Sequence, residues 1–390
     1  MRILILILLA CTVAAAQEAR VRTGPPDTGT EPQRTQAEIP PANQITPTTK
    51  EETPQELTIP NDRDSVVRLQ IFLDQKRFGP GFIDGKSGRF TRLAIENYNL
   101  SLGRKKDDLR VLAESDQGVP QTYATAIIPR WVDRYVDPSL PRSRLLQSQR
   151  KSMPYRSVAE LMAERYHTSE DLLMALNGPE AVRAAKSRTA MIVPNIEPFR
   201  IEDLKRGRTH KKQDALSARH MVVDTTTKQI YIYHLVFPKR KKNAVMDEIR
   251  PSAVDGVPEL DSKPASERKK PDQVQSKLIA SFPITPGKTR FIPKGFWNLK
   301  NSVELPEWRY DQKLLETGVR GKESLSIPPG PNNPVGIIWN GLTKSGIGIH
   351  GTNNPRTIGR ARSAGCIRLA NWDAARIPTL VRPGAVVVVK

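Results

Sequence analysis

The sequence predicts a multidomain chain: a small α-helical module, an α+β middle region and a mostly-β C-terminal domain. Three observations carry this. Val66, Leu69 and Leu73 recur at helical spacing, and a turn-rich loop separates them from a second stretch of that kind at Leu93, Ala94, Ile95 and Tyr98. From Ala218 to the C-terminus, short apolar runs rich in Val, Ile and Tyr are divided by Gly and Pro, the pattern of many short strands. Between the N-terminus and the first helix, residues 17–63 hold eight prolines and no aromatic residue. That segment buries too little apolar surface to offset its ordering entropy and reads as a tether.

In chain order, residues 1–16 (M-R-I-L-I-L-I-L-L-A-C-T-V-A-A-A) combine one positive charge, a short apolar run and a small-residue end. This is the pattern of a secretory signal peptide, with Ala14 and Ala16 at the small positions. Leu8-Leu9-Ala10-Cys11 also has the look of a lipoprotein box, so membrane attachment is expected only if Cys11 is lipidated. Simple export to the periplasm or cell wall is the favoured reading. The formal net charge of +20 suits an anionic surrounding, and nothing in the chain matches a nucleic-acid motif.

Residues 64–105 form the helical module, its first helix capped by Asp64 or Ser65 and its second opened by Thr91. The string V-V-R-L-Q-I-F-L-D-Q-K-R-F-G-P-G-F-I-D-G-K-S-G-R-F-T-R-L-A-I-E-N-Y resembles a peptidoglycan-binding module of the small three-helix type. In residues 119–200, Tyr155, Val158, Leu161, Tyr166, Leu172, Leu173 and Leu176, then Ile192-Val193-Pro194-Asn195, resemble a degenerate LysM repeat, and a structural spacer is the other reading. His167 falls where such repeats have a surface loop. The basic run K-R-G-R-T-H-K-K lies in a solvated linker, residues 201–217.

The C-terminal domain spans 218–390. His220–Asp224 and Gln229–Tyr233 read as a hairpin, and 238–276 as a mobile insertion. Leu278–Ile284 resumes the sheet, and 311–334 is long enough for a lid. Strands follow at Val335–Trp339, Gly346–Ile349 and Ala385–Val389, giving a sandwich or barrel-like domain with little helix.

The chemistry concentrates in Ile349–Asn371. Cys366 is one of two cysteines in the chain, the other being Cys11, and His350 lies 16 positions upstream, before a Gly- and Asn-rich loop. Cys with His is the minimal pair for nucleophilic acyl transfer. Alone, such a pair is more often a buried apolar thiol and a structural imidazole. The full string H-G-T followed by S-x-G-C-I-R-L resembles the signature of the L,D-transpeptidases with a YkuD-type catalytic domain. Thr285-Pro286-Gly287 with Pro293-Lys294-Gly295 adds to that resemblance.

The resemblance implies a cell-wall enzyme acting on peptidoglycan stem peptides and glycan, with no cofactor and no metal. Cys366 is then the nucleophile and His350 the general base that later returns the proton. Gly365 supplies an oxyanion-binding backbone N–H, and Ser363 orients the imidazole. Arg368 holds a substrate carboxylate or orders the loop, and Gly351 and Thr352 line the substrate site. Ala364 stands where many relatives have His, so one polar contribution is missing. Two other classes compete. A papain-like protease places its Cys early and its His far downstream, the reverse of this order. A non-catalytic wall-anchoring protein would carry the Cys–His pair as a vestige.

Overall fold

The structure is a computed structural model, and it describes residues 58–236, 275–287, 294–317, 319, 321–360 and 366–390. The leader, most of the tether, the insertion 238–276 except its last two residues, and Ser363, Ala364 and Gly365 lie outside the described residues.

Helix α1 (Arg63–Gln75) starts two residues earlier than an Asp64 cap implies and three earlier than a Ser65 cap. Asp62 is the cap, its carboxylate accepting from the Ser65 amide at 2.8 Å. A cap oxygen reaches the amide two or three positions on, which places Asp64 inside the first turn. The apolar stripe falls as spaced, with Val66, Leu69 and Leu73 buried. Helix α2 (Arg89–Ser101) packs beside it, Phe72 meeting Tyr98 edge-on at 5.3 Å. The Asp84-Gly85 turn between them is held by Gln70, whose side-chain oxygen accepts both turn amides at 2.9 Å. Helix α3 (Arg110–Gly118) completes the bundle.

Strands β1 (Tyr123–Ile127) and β2 (Ala190–Pro194) pair antiparallel. Four helices lie between them: α4 (Arg144–Ser148), α5 (Val158–Arg165), α6 (Glu170–Asn177) and α7 (Pro179–Arg183). Ser157 and Ser169 cap α5 and α6 through their hydroxyls. The basic run after this region is largely exposed, as a solvated linker would be, yet it is anchored on a buried carboxylate. Glu304, 2% exposed, accepts Arg208 at 2.7 Å and the Lys205 amide at 2.9 Å, which ties the run to the sheet. A buried carboxylate needs such partners, and charge composition alone does not reveal them.

After α8 (Asp214–Ser217), the C-terminal region builds one mixed sheet. Its eight strands are β3 (His220–Asp224), β4 (Gln229–Val236), β5 (Gln275–Pro283), β6 (Gly295–Glu304), then β9 (Ile338–Leu342), β10 (Gly348–His350), β11 (Ile367–Arg368) and β12 (Val386–Val389), with β7 (Trp308–Tyr310), α9 (Gln312–Thr317) and β8 (Leu325–Ile327) intervening. The spatial order is β11-β10-β9-β6-β12-β3-β4-β5, with parallel pairing at β10/β11 and β12/β3. Alternate residues Met221, Val223, Ile230, Ile232, Val387 and Val389 face the core. Helix α10 (Asn371–Leu380) went unforeseen because Pro378 lies inside it and breaks the helical reading.

Strand β9 begins three residues later than the apolar run at 335 suggests. Gly336 sits at φ +63°, so 335–337 form a turn. A Cβ there would collide with the Asn371 side-chain oxygen and the Gly351 backbone. Gly336→Ala is expected to cost about 2–3 kcal/mol, read by urea unfolding.

His167 is not on a surface loop. It is 3% exposed, stacked on Trp372 at 5.5 Å, and its Nδ1 lies 3.1 Å from Asp74 Oδ2. Arg376 of α10 donates to both oxygens of the same carboxylate, at 2.9 and 2.6 Å. The first helix is thereby joined to the helix that follows the Cys366 motif, and all described residues fall in one compact unit, Pro54–Lys390. Although burial alone would raise it, Arg376 and His167 hold the Asp74 carboxyl well below the usual carboxylate range. Its folded pKa is depressed, so its contribution is present above about pH 4 and is lost as pH falls further. Asp74→Ala takes the shared carboxylate from the half-buried Arg376 guanidinium and the buried His167 imidazole, and is expected to cost about 3 kcal/mol at pH 7, with a smaller difference from wild type in acid melts.

Candidate active site

Strand β10 delivers His350, and Cys366 stands directly before β11. The two strands run parallel in the register Ile349↔Ile367 and His350↔Arg368. Side chains alternate across a sheet, so Ile349 and Ile367 point together into the core, both fully buried. His350, Arg368 and, one step before the strand, Cys366 belong to the opposite face. Apolar residues at 349 and 367 thus set which way the two chemical residues point.

His350 is 3% exposed. Its Nδ1 lies 2.6 Å from the Gly351 carbonyl oxygen, and the Trp339 ring stacks on it at 5.5 Å with 17° between planes. A carbonyl only accepts, so Nδ1 carries the proton of the neutral imidazole and Nε2 keeps the lone pair. Burial pushes the imidazole down to about 4, helped by the Arg368 charge and opposed by the Gly351 and Val335 backbone. At neutral pH the ring is therefore a base with its lone pair available.

Cys366 is half-buried, and its Sγ lies 3.7 Å from the Gly346 carbonyl. Burial pushes the thiol up, opposed by the Gly348 backbone and the Arg368 charge. The resting pair is thus thiol and neutral imidazole, a state that needs base assistance to attack. The sulfur opens on a cavity of about 490 Å³, walled by Trp339, Val335 and Gly346 and, across from them, by Leu305, Trp308 and Leu314. The segment expected to form a lid contributes through Asp311 and Leu314 at the start of α9.

The other expected site residues divide. Arg368 is half-buried in β11, exchanges backbone hydrogen bonds with Thr285 at 3.0 and 2.9 Å, and acts electrostatically on both Cys366 and His350. Gly351 and Thr352 do not line the cavity that holds Cys366. Both are buried: the Gly351 carbonyl orients His350, and Thr352 Oγ1 accepts the Asn354 amide at 3.2 Å. Ser363 and Gly365 lie outside the described residues, as does Ala364. Sequence reasoning missed Trp339 and Asn371. The signal for Asn371 was its place at the end of the R-L-A-N string that follows Cys366.

A thiol and an oriented imidazole thus stand on neighbouring strands, the thiol beside a cavity, and these are the residue types that cysteine-dependent acyl transfer uses. Residues 272–389 match the family model of the YkuD L,D-transpeptidase catalytic domain. The "Putative L,D-transpeptidase YkuD" of Bacillus licheniformis is 46% identical over 73 residues, 18% of this chain and 44% of that protein. Its namesake in Bacillus subtilis is 46% identical over 59 residues, 15% and 36% of the two chains. The chain thus spans less than half the length of these curated relatives. Among solved structures, L,D-transpeptidase 3 from Mycobacterium tuberculosis is 15% identical with a TM-score of 0.26, covering 44% of this chain and 61% of that one. That overlap is too slight to bear on the argument.

Proposed function

We propose that the protein is an exported cell-wall enzyme, a cysteine-dependent L,D-transpeptidase acylated by peptidoglycan tetrapeptide stems. The observation that carries the reading is the thiol of Cys366 on one sheet face with a neutral imidazole whose proton is fixed on Nδ1. Nε2 of His350 takes the Sγ proton as sulfur bonds to the carbonyl carbon before the terminal D-alanine. The tetrahedral oxyanion is met by the backbone N–H groups of Cys366 and Gly365, with the Arg368 charge nearby. Collapse breaks the C–N bond, and the leaving amine takes the proton from His350 to release D-alanine. The thioester then passes to the amine of a second stem, which gives its proton to the imidazole while sulfur departs.

Export follows in this proposal from residues 1–16, with attachment to a membrane only if Cys11 is lipidated. The charge of +20 favours residence on anionic wall polymer. The test mixes the full chain with tetrapeptide muropeptides and reads intact mass. A thioester adduct with loss of D-alanine, followed by dimers linked between stems, supports the reading. A chain that binds sacculi but forms neither adduct nor product overturns it in favour of wall anchoring.

A further inference from the structure

Asn371 opens α10 and is fully buried. Its Oδ1 accepts the Thr352 amide at 3.1 Å and the Ile337 amide at 3.3 Å. Between those two contacts lies Gly351, whose carbonyl fixes the His350 imidazole, and a Cβ on Gly351 would collide with the same oxygen. This geometry holds only while Asn371 presents its oxygen, not its NH2, to the two backbone N–H groups. Rotated by half a turn, the side chain would set donors against donors, leaving buried amides unsatisfied.

What selects the orientation is on the other side of the amide. Asn371 Nδ2 donates to both oxygens of Glu164, at 3.1 and 2.9 Å, with the Pro331 carbonyl at 3.4 Å. Glu164 also accepts the Tyr155 hydroxyl at 2.6 Å. Burial pushes Glu164 up to about 8, against the pull of those donors. In either protonation state an oxygen remains to accept from Nδ2. Glu164 belongs to α5, far outside the stretch 272–389 that matches the catalytic family.

We propose that Glu164 is a positioning residue: through Asn371 it holds the His350–Thr352 turn, so the middle region is a working part of the active site. The proposal rests on the transpeptidase reading. Its energetic logic is that a small displacement of a base relative to its nucleophile costs far more rate than binding.

The test uses the full chain with E164L, N371D, E164Q and the double variant E164Q/N371D. Turnover of tetrapeptide stems is measured alongside the rate at which iodoacetamide alkylates Cys366, which needs no substrate. E164L is expected to lower kcat about 10- to 100-fold with KM within about threefold. Assayed at about pH 9, above the value of about 8 to which burial pushes Glu164, N371D sets carboxylate against carboxylate and falls similarly. E164Q then supplies an NH2 to Asp at 371, so the double variant is expected to regain at least about tenfold over N371D. E164L at the wild-type kcat, or a double variant no better than N371D, overturns the proposal. If E164L does not fold, the comparison of N371D with the double variant decides. A wild-type chain inert toward stems overturns the transpeptidase reading instead. In that case alkylation slowed in N371D and restored in the double variant still supports the positioning role, and alkylation equal in all variants overturns it.

Discussion

Cys366→Ala is expected to abolish the covalent adduct with tetrapeptide stems and to lower turnover by on the order of 10⁴-fold or more. The sulfur is the only group on the cavity wall to which the mechanism assigns the new bond, and His350 has no proton to remove without it. The fold should scarcely notice. Cys366 is half-buried at the head of a two-residue strand, and removal of one sulfur at such a site costs within about 1 kcal/mol. Intact mass spectrometry and a melting curve on the same sample therefore separate chemistry from stability. An adduct on the variant would place the nucleophile elsewhere.

His350→Ala is expected to lower kcat by about 10²–10⁴-fold, the usual worth of a positioned general base. The pH profile offers a sharper check. The imidazole is pushed down to about 4 by burial, so it stays neutral through the whole range where an exposed histidine would become charged. The acid limb of kcat/KM, set by protonation of the base in the free protein, should thus fall near pH 4 and not near pH 6.5. Activity is full above that limb and is lost as pH drops through it. The limb should vanish in His350→Ala. A limb near 6.5 would mean that the imidazole is solvated in the working state, and that Trp339 and Gly351 do not hold it as described.

Much of this site was legible because its information is local. Ile349 and Ile367 flank the two chemical residues at strand spacing, so the same run of letters encodes both the reactive groups and the face on which they emerge. The apolar runs at 220–233, 278–284 and 385–389 likewise report strands directly, since burial on a sheet needs only alternation or continuity. Misreadings occurred where a single residue redirects the backbone. The left-handed Gly336 moved the start of β9, and Pro378 hid a helix that tolerates it near its last turn.

By itself, then, the sequence singled out Cys366 and His350 as the candidate pair and located the strands that present them. Only the tertiary structure decided what supports them. Asp74 and Arg376 meet across 302 residues, and Glu164 and Asn371 across 207. Neither pair has a periodicity or motif to announce it, because a buried polar contact is specified by where two surfaces meet after folding. His167 reads as a surface letter in the chain, and became a buried partner once α10 was laid against α1.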